Sequence, residues 1–276
     1  MGRKVKLTRR VTFSAGHRYW FAHLSPDENK ALFGEWASPY SHGHNYVLYV
    51  TVEGLIDPEH GMVVNIKTID DVLKQEIVSQ LDGKSLNDEV AHFQNHAPTT
   101  ENIMRFILDT LSQPGVLPAE AKLTGIRLDE TETLYGEQDE HKMTLTRIYE
   151  FAASHRLHVP TYSGDQNIEL FGKCNNPAGH GHNYVLEVTV SGEPDAQTGM
   201  MVSLEELDGK VNELVVDRYD HKHLNEDIPE FKDKVPTSEV VAEEIFNRLT
   251  GQLPAKLQRI RLLETARNIF EVEAAS

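Results

Sequence analysis

Apolar and polar residues alternate in short runs along this chain, and longer runs with a helical period separate them. The N-terminal MGRKVKLTRR leads into one alternating stretch, FAASH from Phe151 ends another, and NYVLEVTV from Asn183 is a third, rich in the valines and aromatics that suit a half-buried strand. Over Val64 to Gln80 the period changes. Ile66, Ile69, Val72, Leu73 and Ile77 fall at helical spacing, as do Leu204, Leu207, Val211, Leu214 and Val215, so each segment is expected to lay one apolar stripe on a sheet. A second helix is expected after Pro98 and again after Pro236. Thr99 and Thr237 are its N-caps, Glu101 and Glu239 put a carboxylate where the helix dipole favours it, and Ile103, Phe106 and Ile107 continue the stripe.

These elements occur twice because the second half of the chain restates the first. FSAGH from Phe13 recurs as FAASH from Phe151, and LFGEWASPYSHGHNYVLYV from Leu32 as LFGKCNNPAGHGHNYVLEV from Leu170, at a constant shift of 138 residues. LDGKSLN from Leu81 matches YDHKHLN from Tyr219, and PTTE from Pro98 matches PTSE from Pro236. Between Ile126 (IRLDET) and Ile260 (IRLLET) the shift is 134, which places the length difference in the loop SQPGVLP, where insertion is tolerated. The expected repeats are 1–137 and 140–276, with the polar GEQDEH (Gly136 to His141) as the bridge. Each reads strand, long loop, strand, helix, helix, strand, strand. That order predicts an α+β unit, a four-stranded antiparallel sheet with two helices on one face, whose open edges call for assembly.

Composition narrows the partners. The 276 residues, 39% hydrophobic and 25% charged, describe a globular chain with no apolar run of membrane-spanning length, and the single cysteine excludes an intrachain disulfide. A cytoplasmic location is expected. The net charge of −16, from 43 acidic and 27 basic residues, argues against nucleic acid or an anionic membrane as the main partner, and an anionic substrate would need a local basic pocket.

The candidate chemistry lies around FGKCNNPAGHGHNY, Phe171 to Tyr184. His180 and His182, two apart in a strand, share a face, and His155 at the end of an earlier strand supplies a third imidazole. A lone strand histidine is more often structural, but His17, His42 and His44 reproduce the same three positions, which favours zinc in both repeats, two ions per chain. Cys174 could be a small buried hydrophobe or a fourth ligand. Its counterpart Trp36 cannot bind metal although the three histidines remain, so the ligand set is complete without sulfur, and a thiol beside a cation suits a base. Asp220 and His221 read either as a solvated loop or as an acid/base pair. Glu264 either marks a strand end or accepts two N–H bonds from a planar heterocycle. Thr237 and Ser238 suit helix caps better than ligand contacts.

Taken in order, the FSAxH-like strand end, CNNPxGHGHNY, DHKxLN, PTxE and LLET resemble the 6-pyruvoyl tetrahydropterin synthase family, which includes the 6-carboxytetrahydropterin synthases. The resemblance spans nearly all of the second repeat and covers the first less completely. It implies tandem tunnelling-fold repeats whose sheets close into barrels with those of other copies. It further implies a lyase that removes triphosphate from 7,8-dihydroneopterin triphosphate, with His155, His180 and His182 on zinc, Cys174 as base, Asp220 with His221 as relay, and Glu264, with Thr237 and Ser238 beside it, on the pterin. The first repeat keeps Asp82, Glu130 and its histidines but carries Trp36 for the cysteine and Gly83 for the relay histidine. It is therefore expected to be a degenerate scaffold that keeps Glu130 for a pterin, with Glu35 as the alternative base. Arg156 and Lys173, each beside a site residue, are candidates for phosphate contact. The five residues between Cys174 and His180 favour the 6-pyruvoyl product over the 6-carboxy product of deazapurine biosynthesis, and a non-catalytic zinc and pterin binding protein is the alternative of another class. A homo-oligomer is expected, three tandem chains with the first repeats in one barrel and the second repeats in another stacked on it.

Overall fold

The structure, a computed structural model, describes residues 3–275; Met1, Gly2 and Ser276, the outermost residues of the two expected repeats, lie outside that range. Two compact units divide the chain. One comprises the chain up to Leu145 together with Ser191–Glu205, and the other Thr146–Val190 together with the chain from Glu206 onward. The stretch Ser191–Glu205, which the repeat alignment assigns to the second copy, thus packs with the first unit.

In the first unit the strands are β1 (Lys4–His17), β2 (His42–Leu55), β3 (Lys84–Ser85), β4 (Lys122–Thr131) and β5 (Leu134–Asp139). They lie in the order β5-β4-β2-β1-β3. β1 and β2 are antiparallel from Lys4 opposite Leu55 to His17 opposite His42, and β3 runs parallel to β1. The second unit repeats the plan with β6 (Met143–His155), β7 (His180–Ser191), β8 (Lys222–His223), β9 (Lys256–Thr265) and β10 (Asn268–Glu273), ordered β10-β9-β7-β6 with β8 beside β6. The four long strands are those expected. The two-residue parallel strands are an addition, and one carboxylate explains each. Asp82 Oδ1 accepts the Ser14 N–H at 2.8 Å while the Gly83 N–H reaches the Ser14 carbonyl at 2.7 Å; Asp220 and His221 do the same to Ala152, at 2.8 and 2.6 Å. An aspartate that mimics a strand partner draws the following residues alongside the strand.

Alternation decides the buried faces. Tyr46, Leu48, Val50 and Val52 on β2 and Tyr184, Leu186, Val188 and Val190 on β7 are fully buried, as are Ile69, Leu73 and Ile77, and Leu207, Val211 and Val215, on the helices. The helix over 66–81 is as expected apart from a π-helical turn at Lys74–Val78, matched at Asn212–Val216 in the other copy. Arg9 clamps the first helix to β1 through Asp70, and Arg147 clamps its counterpart to β6 through Asp208. Thr99 and Thr237 cap the helices Thr100–Leu111 and Ser238–Leu249 as expected, accepting the N–H groups of Asn102 and Val240.

Two expectations change. The long loop holds a helix in each copy, Pro26–Phe33 and Gly164–Phe171, both opened by a capping box, Ser25 with Glu28 and Ser163 with Gln166. The bridge GEQDEH is not a linker either: Gly136–Asp139 pair with β4, and only a tight turn follows, in which Asp139 Oδ1 accepts the N–H groups of His141 and Lys142. No helix among the described residues is long and apolar enough to cross a membrane.

Candidate active site

The register of β1 and β2 sets His17 across from His42, and the pleat returns His44 to the same face. In the second unit His155 ends β6 and His180 opens β7, with ring centroids 4.6 Å apart, and His182 lies 5.3 and 4.9 Å from the two. Gly179 makes this approach possible. Its φ is +74°, and a Cβ there would meet His223 Nε2 at 2.6 Å and the His155 carbonyl at 3.0 Å.

In each triad the ligand atoms lie within 4.8 Å of one another. His155 Nδ1 faces the Pro236 carbonyl at 2.8 Å and His17 Nδ1 the Pro98 carbonyl at 2.7 Å. A carbonyl only accepts, so the proton sits on Nδ1 and Nε2 offers its lone pair to the triad. Burial pushes the His17 pKa down to about 4 and lowers those of His44, His155 and His180, which keeps these imidazoles neutral at pH 7, as ligation requires. Nε2 of His17, His44 and His182 is buried with no hydrogen-bond partner. Two sets of convergent imidazole nitrogens, with His155 Nε2 and His180 Nε2 3.2 Å apart in the second, fit a metal ion apiece.

Glu264 comes to the second triad. Its Oε1 lies 3.6 Å from His182 Nε2 and 3.8 Å from His155 Nε2, accepts the Ser238 hydroxyl at 2.8 Å, and leaves Oε2 to Asn268 at 3.1 Å. Burial opposes its ionisation, yet the hydrogen bonds from Asn268 and Ser238 and the facing histidines hold its pKa below the usual carboxylate value. Ser238 therefore positions Glu264, whereas the Thr237 hydroxyl is engaged as a cap. Asp220 grips the Ala152 N–H with Oδ1 and His221 Nδ1 with Oδ2, at 2.7 Å, and both bonds lower its pKa. His221 is the one non-glycine residue with positive φ among those described, at 57°. It shares a cleft of about 820 Å³ with His182, Glu264, Ser154 and Asp227. Cys174 is half-buried, and its carbonyl accepts the Leu157 N–H at 2.9 Å. No hydrogen bond joins it to Asp220 or His221 among the described residues, so one unit brings together the triad, Glu264 and Ser238, and separately the Asp220–His221 pair, but not the thiol with that pair.

The first triad differs in what surrounds it. Glu130 Oε1 lies 3.8 and 3.6 Å from His17 and His44, and Thr100 donates to its other oxygen at 2.5 Å. Trp36 packs on an apolar cluster of Tyr19, Phe21, Phe33 and Ala97, with its ring 6.2 Å from that of Tyr19. Met200 covers the same cluster, and Glu101, 3% exposed, accepts the Met201 N–H at 2.8 Å. Glu239, in the equivalent place, is exposed. Glu35 points at Lys30, 3.1 Å away, and makes no contact with the triad. Sequence reasoning passed over Tyr46 and Tyr184, whose fully buried hydroxyls lack a partner and whose rings stand against His44 and His182. The signal was present, since HGHNY occurs in both copies.

Comparison with known proteins agrees with this duplicated plan. The family model described as 6-pyruvoyl tetrahydropterin synthase matches residues 6–140 and again 144–275. The 6-pyruvoyl tetrahydrobiopterin synthase of Poecilia reticulata is 46% identical over 126 residues, 45% of this chain and 86% of the relative. The Homo sapiens protein of that name is 45% identical over 126 residues, 45% of this chain and 87% of its own length. A putative 6-carboxy-5,6,7,8-tetrahydropterin synthase of Archaeoglobus fulgidus is 35% identical over 104 residues, 38% of this chain and 82% of the relative. The solved 6-pyruvoyl tetrahydropterin synthase of Caenorhabditis elegans, 41% identical, aligns with 48% of this chain and 95% of its own at a TM-score of 0.46.

Proposed function

The chain belongs to the 6-pyruvoyl tetrahydropterin synthase family, and from that premise we propose that it eliminates triphosphate from 7,8-dihydroneopterin triphosphate to give 6-pyruvoyl tetrahydropterin. The observation that carries the reading is the second repeat's concentration of a convergent His triad, a triad-facing Glu264 held by Ser238, and an Asp220-bonded His221 in a left-handed backbone, around an open cleft. The first repeat keeps the triad and its glutamate and lacks the thiol and the relay histidine.

In this reading His155, His180 and His182 hold zinc, and His17, His42 and His44 hold a second ion. Zinc bound beside the substrate's hydroxyls would acidify the neighbouring C–H bonds and stabilise the negative charge that develops. Glu264 accepts two N–H bonds from the pterin ring, which fixes the side chain of the substrate over the triad. Cys174 as base takes the carbon-bound proton, the C–O bond to the triphosphate breaks, and His221, held by Asp220, handles the proton transfers of the final tautomerisation. The first repeat acts as a scaffold, with Glu130 held by Thr100 and the thiol's place filled by Trp36.

Assembly belongs to the same reading. In neither unit do the outermost strands pair with each other, and no hydrogen bond joins the thiol to His221 among the described residues, so we place the working site where units of neighbouring chains meet, in a cytoplasmic trimer of tandem chains. Light scattering that gives a stable and active monomer rules this out. The function itself is tested by incubating the metal-loaded chain with dihydroneopterin triphosphate and identifying the products by mass spectrometry. A 6-pyruvoyl product is expected, acetaldehyde release would indicate the 6-carboxy reaction instead, and unchanged substrate would overturn both.

A further inference from the structure

The first unit is completed by two pieces that the second copy encodes, the opening of β6 up to Leu145 and the stretch Ser191–Glu205. Both lie close against it. Glu101 Oε1 accepts the Met201 N–H at 2.8 Å, the Asn102 side chain donates to the Thr198 carbonyl at 3.3 Å, and a Cβ on Gly199 would lie 2.1 Å from Asn102 Nδ2, so the turn at 195–200 sits tightly on the start of the helix Thr100–Leu111. Leu204 is 5% exposed. On β5, which adjoins that helix through Gly136 and Met104, the Glu137 carbonyl accepts the Thr144 hydroxyl at 3.4 Å, and Tyr135, Met143 and Leu145 are buried.

The first copy carries the same two pieces, and they are bare. The turn at 57–62 has the conformation of the one at 195–200: the Asp57 N–H donates to the Met62 carbonyl at 2.9 Å and the Gly61 N–H to the Asp57 carbonyl at 2.8 Å, as Asp195 and Gly199 do at 2.9 and 2.8 Å, and both glycines have a φ of 75°. A Cβ on Gly61, however, meets nothing within 4 Å. Met62 is 43% exposed, Ile66 in the place of Leu204 44%, and Val5 in the place of Met143 39%; Leu55 and Ile56 extend the patch. The surface of the second unit that corresponds to the covered one is bare too, with Glu239 exposed in the place of Glu101 and Ile269 in the place of Tyr135. Apolar exposure on segments whose duplicates are covered marks a pair of docking surfaces, and a turn already in its docked conformation needs little ordering.

We propose that residues 55–66 and the opening of β1 in one chain dock on the second unit of another copy, along β10 and the start of the helix Ser238–Leu249, with the Val63 N–H donating to Glu239 as Met201 does to Glu101. This is a head-to-tail contact that joins unlike copies. Charge favours it: Lys6 and Arg10, exposed on β1, meet an edge strand that ends in the exposed Glu271 and Glu273. The incoming chain adjoins Ser238, which holds Glu264, so the contact completes the wall of the second site. The pairing rests on the assembly reading above and is independent of the pterin chemistry.

Light scattering on the metal-loaded full chain tests it through two variants that each spoil one surface. Met62→Glu sets a like charge against Glu239, and Ile269→Lys sets one against the basic opening of β1. Both residues are exposed in the single chain, so thermal melts should show both variants folded, while each weakens the contact about a hundredfold and runs as single chains. An equimolar mixture should regain a 1:1 complex, because one partner keeps the turn and the other keeps β10. Variants that assemble as the wild type does, or a mixture that stays as single chains, overturn this pairing and leave the trimer to be built like copy with like. A wild-type monomer sinks the pairing and the assembly reading together. A two-chain wild type with the same complementation keeps the pairing and ends the trimer.

Discussion

His221 and Gly83 hold the same left-handed backbone, with φ of 57° and 70°, at equivalent positions of the two repeats. Both residues donate their N–H to a strand carbonyl, that of Ala152 or Ser14. Glycine takes this conformation freely, whereas a residue with a Cβ is strained by about 1 kcal/mol. The fold is therefore served by glycine, and the histidine ring, 84% exposed, is kept for something else. His221→Gly should leave the unfolding free energy unchanged or raise it by up to about 1 kcal/mol while turnover falls by orders of magnitude. Denaturant melts that show a loss larger than that would give the ring a structural role.

Cys174→Ala should abolish turnover and leave the metal content unchanged, since the triad is complete without sulfur. Trp36→Ala removes part of an apolar cluster and should cost about 1–3 kcal/mol of stability with little effect on the chemical step. Turnover per folded oligomer in the two variants decides the matter. An active Cys174→Ala chain would mean that catalysis has been assigned to the wrong residue.

Two triads predict two metal ions per chain by elemental analysis after full loading. His42→Ala should leave one ion and an intact chemical step, and His180→Ala should leave one ion and no turnover. A wild-type ratio of one ion, unaffected by His42→Ala, would make the first triad vestigial.

Acid stability should depend on Glu230. Arg218 chiefly, with burial opposing and Arg248 assisting, holds its pKa at about 2 against an ordinary 4.5. A carboxylate depressed in the folded state stabilises it above the unfolded pKa, so its contribution is complete above pH 4.5 and drains away between there and pH 2. Glu230→Gln should melt lower at pH 7, by about 1–2 kcal/mol after allowance for solvent screening, and should show a flatter acid slope. Identical slopes in the two proteins would remove Glu230 from the acid transition.

What was legible in the sequence was whatever repeats or alternates. The long strands, the helix caps Thr99 and Thr237, and the three histidines of each triad carry local signals that tertiary packing reinforces. The helix at Pro26–Phe33 was legible too, through its Ser25 and Glu28 box, but eight residues of modest amphipathicity hide easily in a loop. The far part of the strand at Leu134–Asp139 was not: GEQD is polar because that part is only partly covered, and polarity reads as linker when the pairing partner is unknown. Nor could the sequence reveal that Asp82 outlives its histidine because a strand amide needs it. Persistence in both copies reads as function when the residue type is chemical, and here the backbone supplies the reason.

The stretch Ser191–Glu205, which joins the first unit although the second copy encodes it, bears on how this duplication can change over time. Met201 caps the buried acid Glu101, the Thr198 carbonyl receives the Asn102 amide at 3.3 Å, and Met200 closes an apolar cluster. A chain cut between the copies would strand a buried carboxyl without its donor and open that cluster to water, at a cost of several kcal/mol. Fission back to single-copy genes is thereby barred by packing, independently of activity. The first copy thus completes its core with a stretch that the second encodes, and it cannot be inherited without its neighbour.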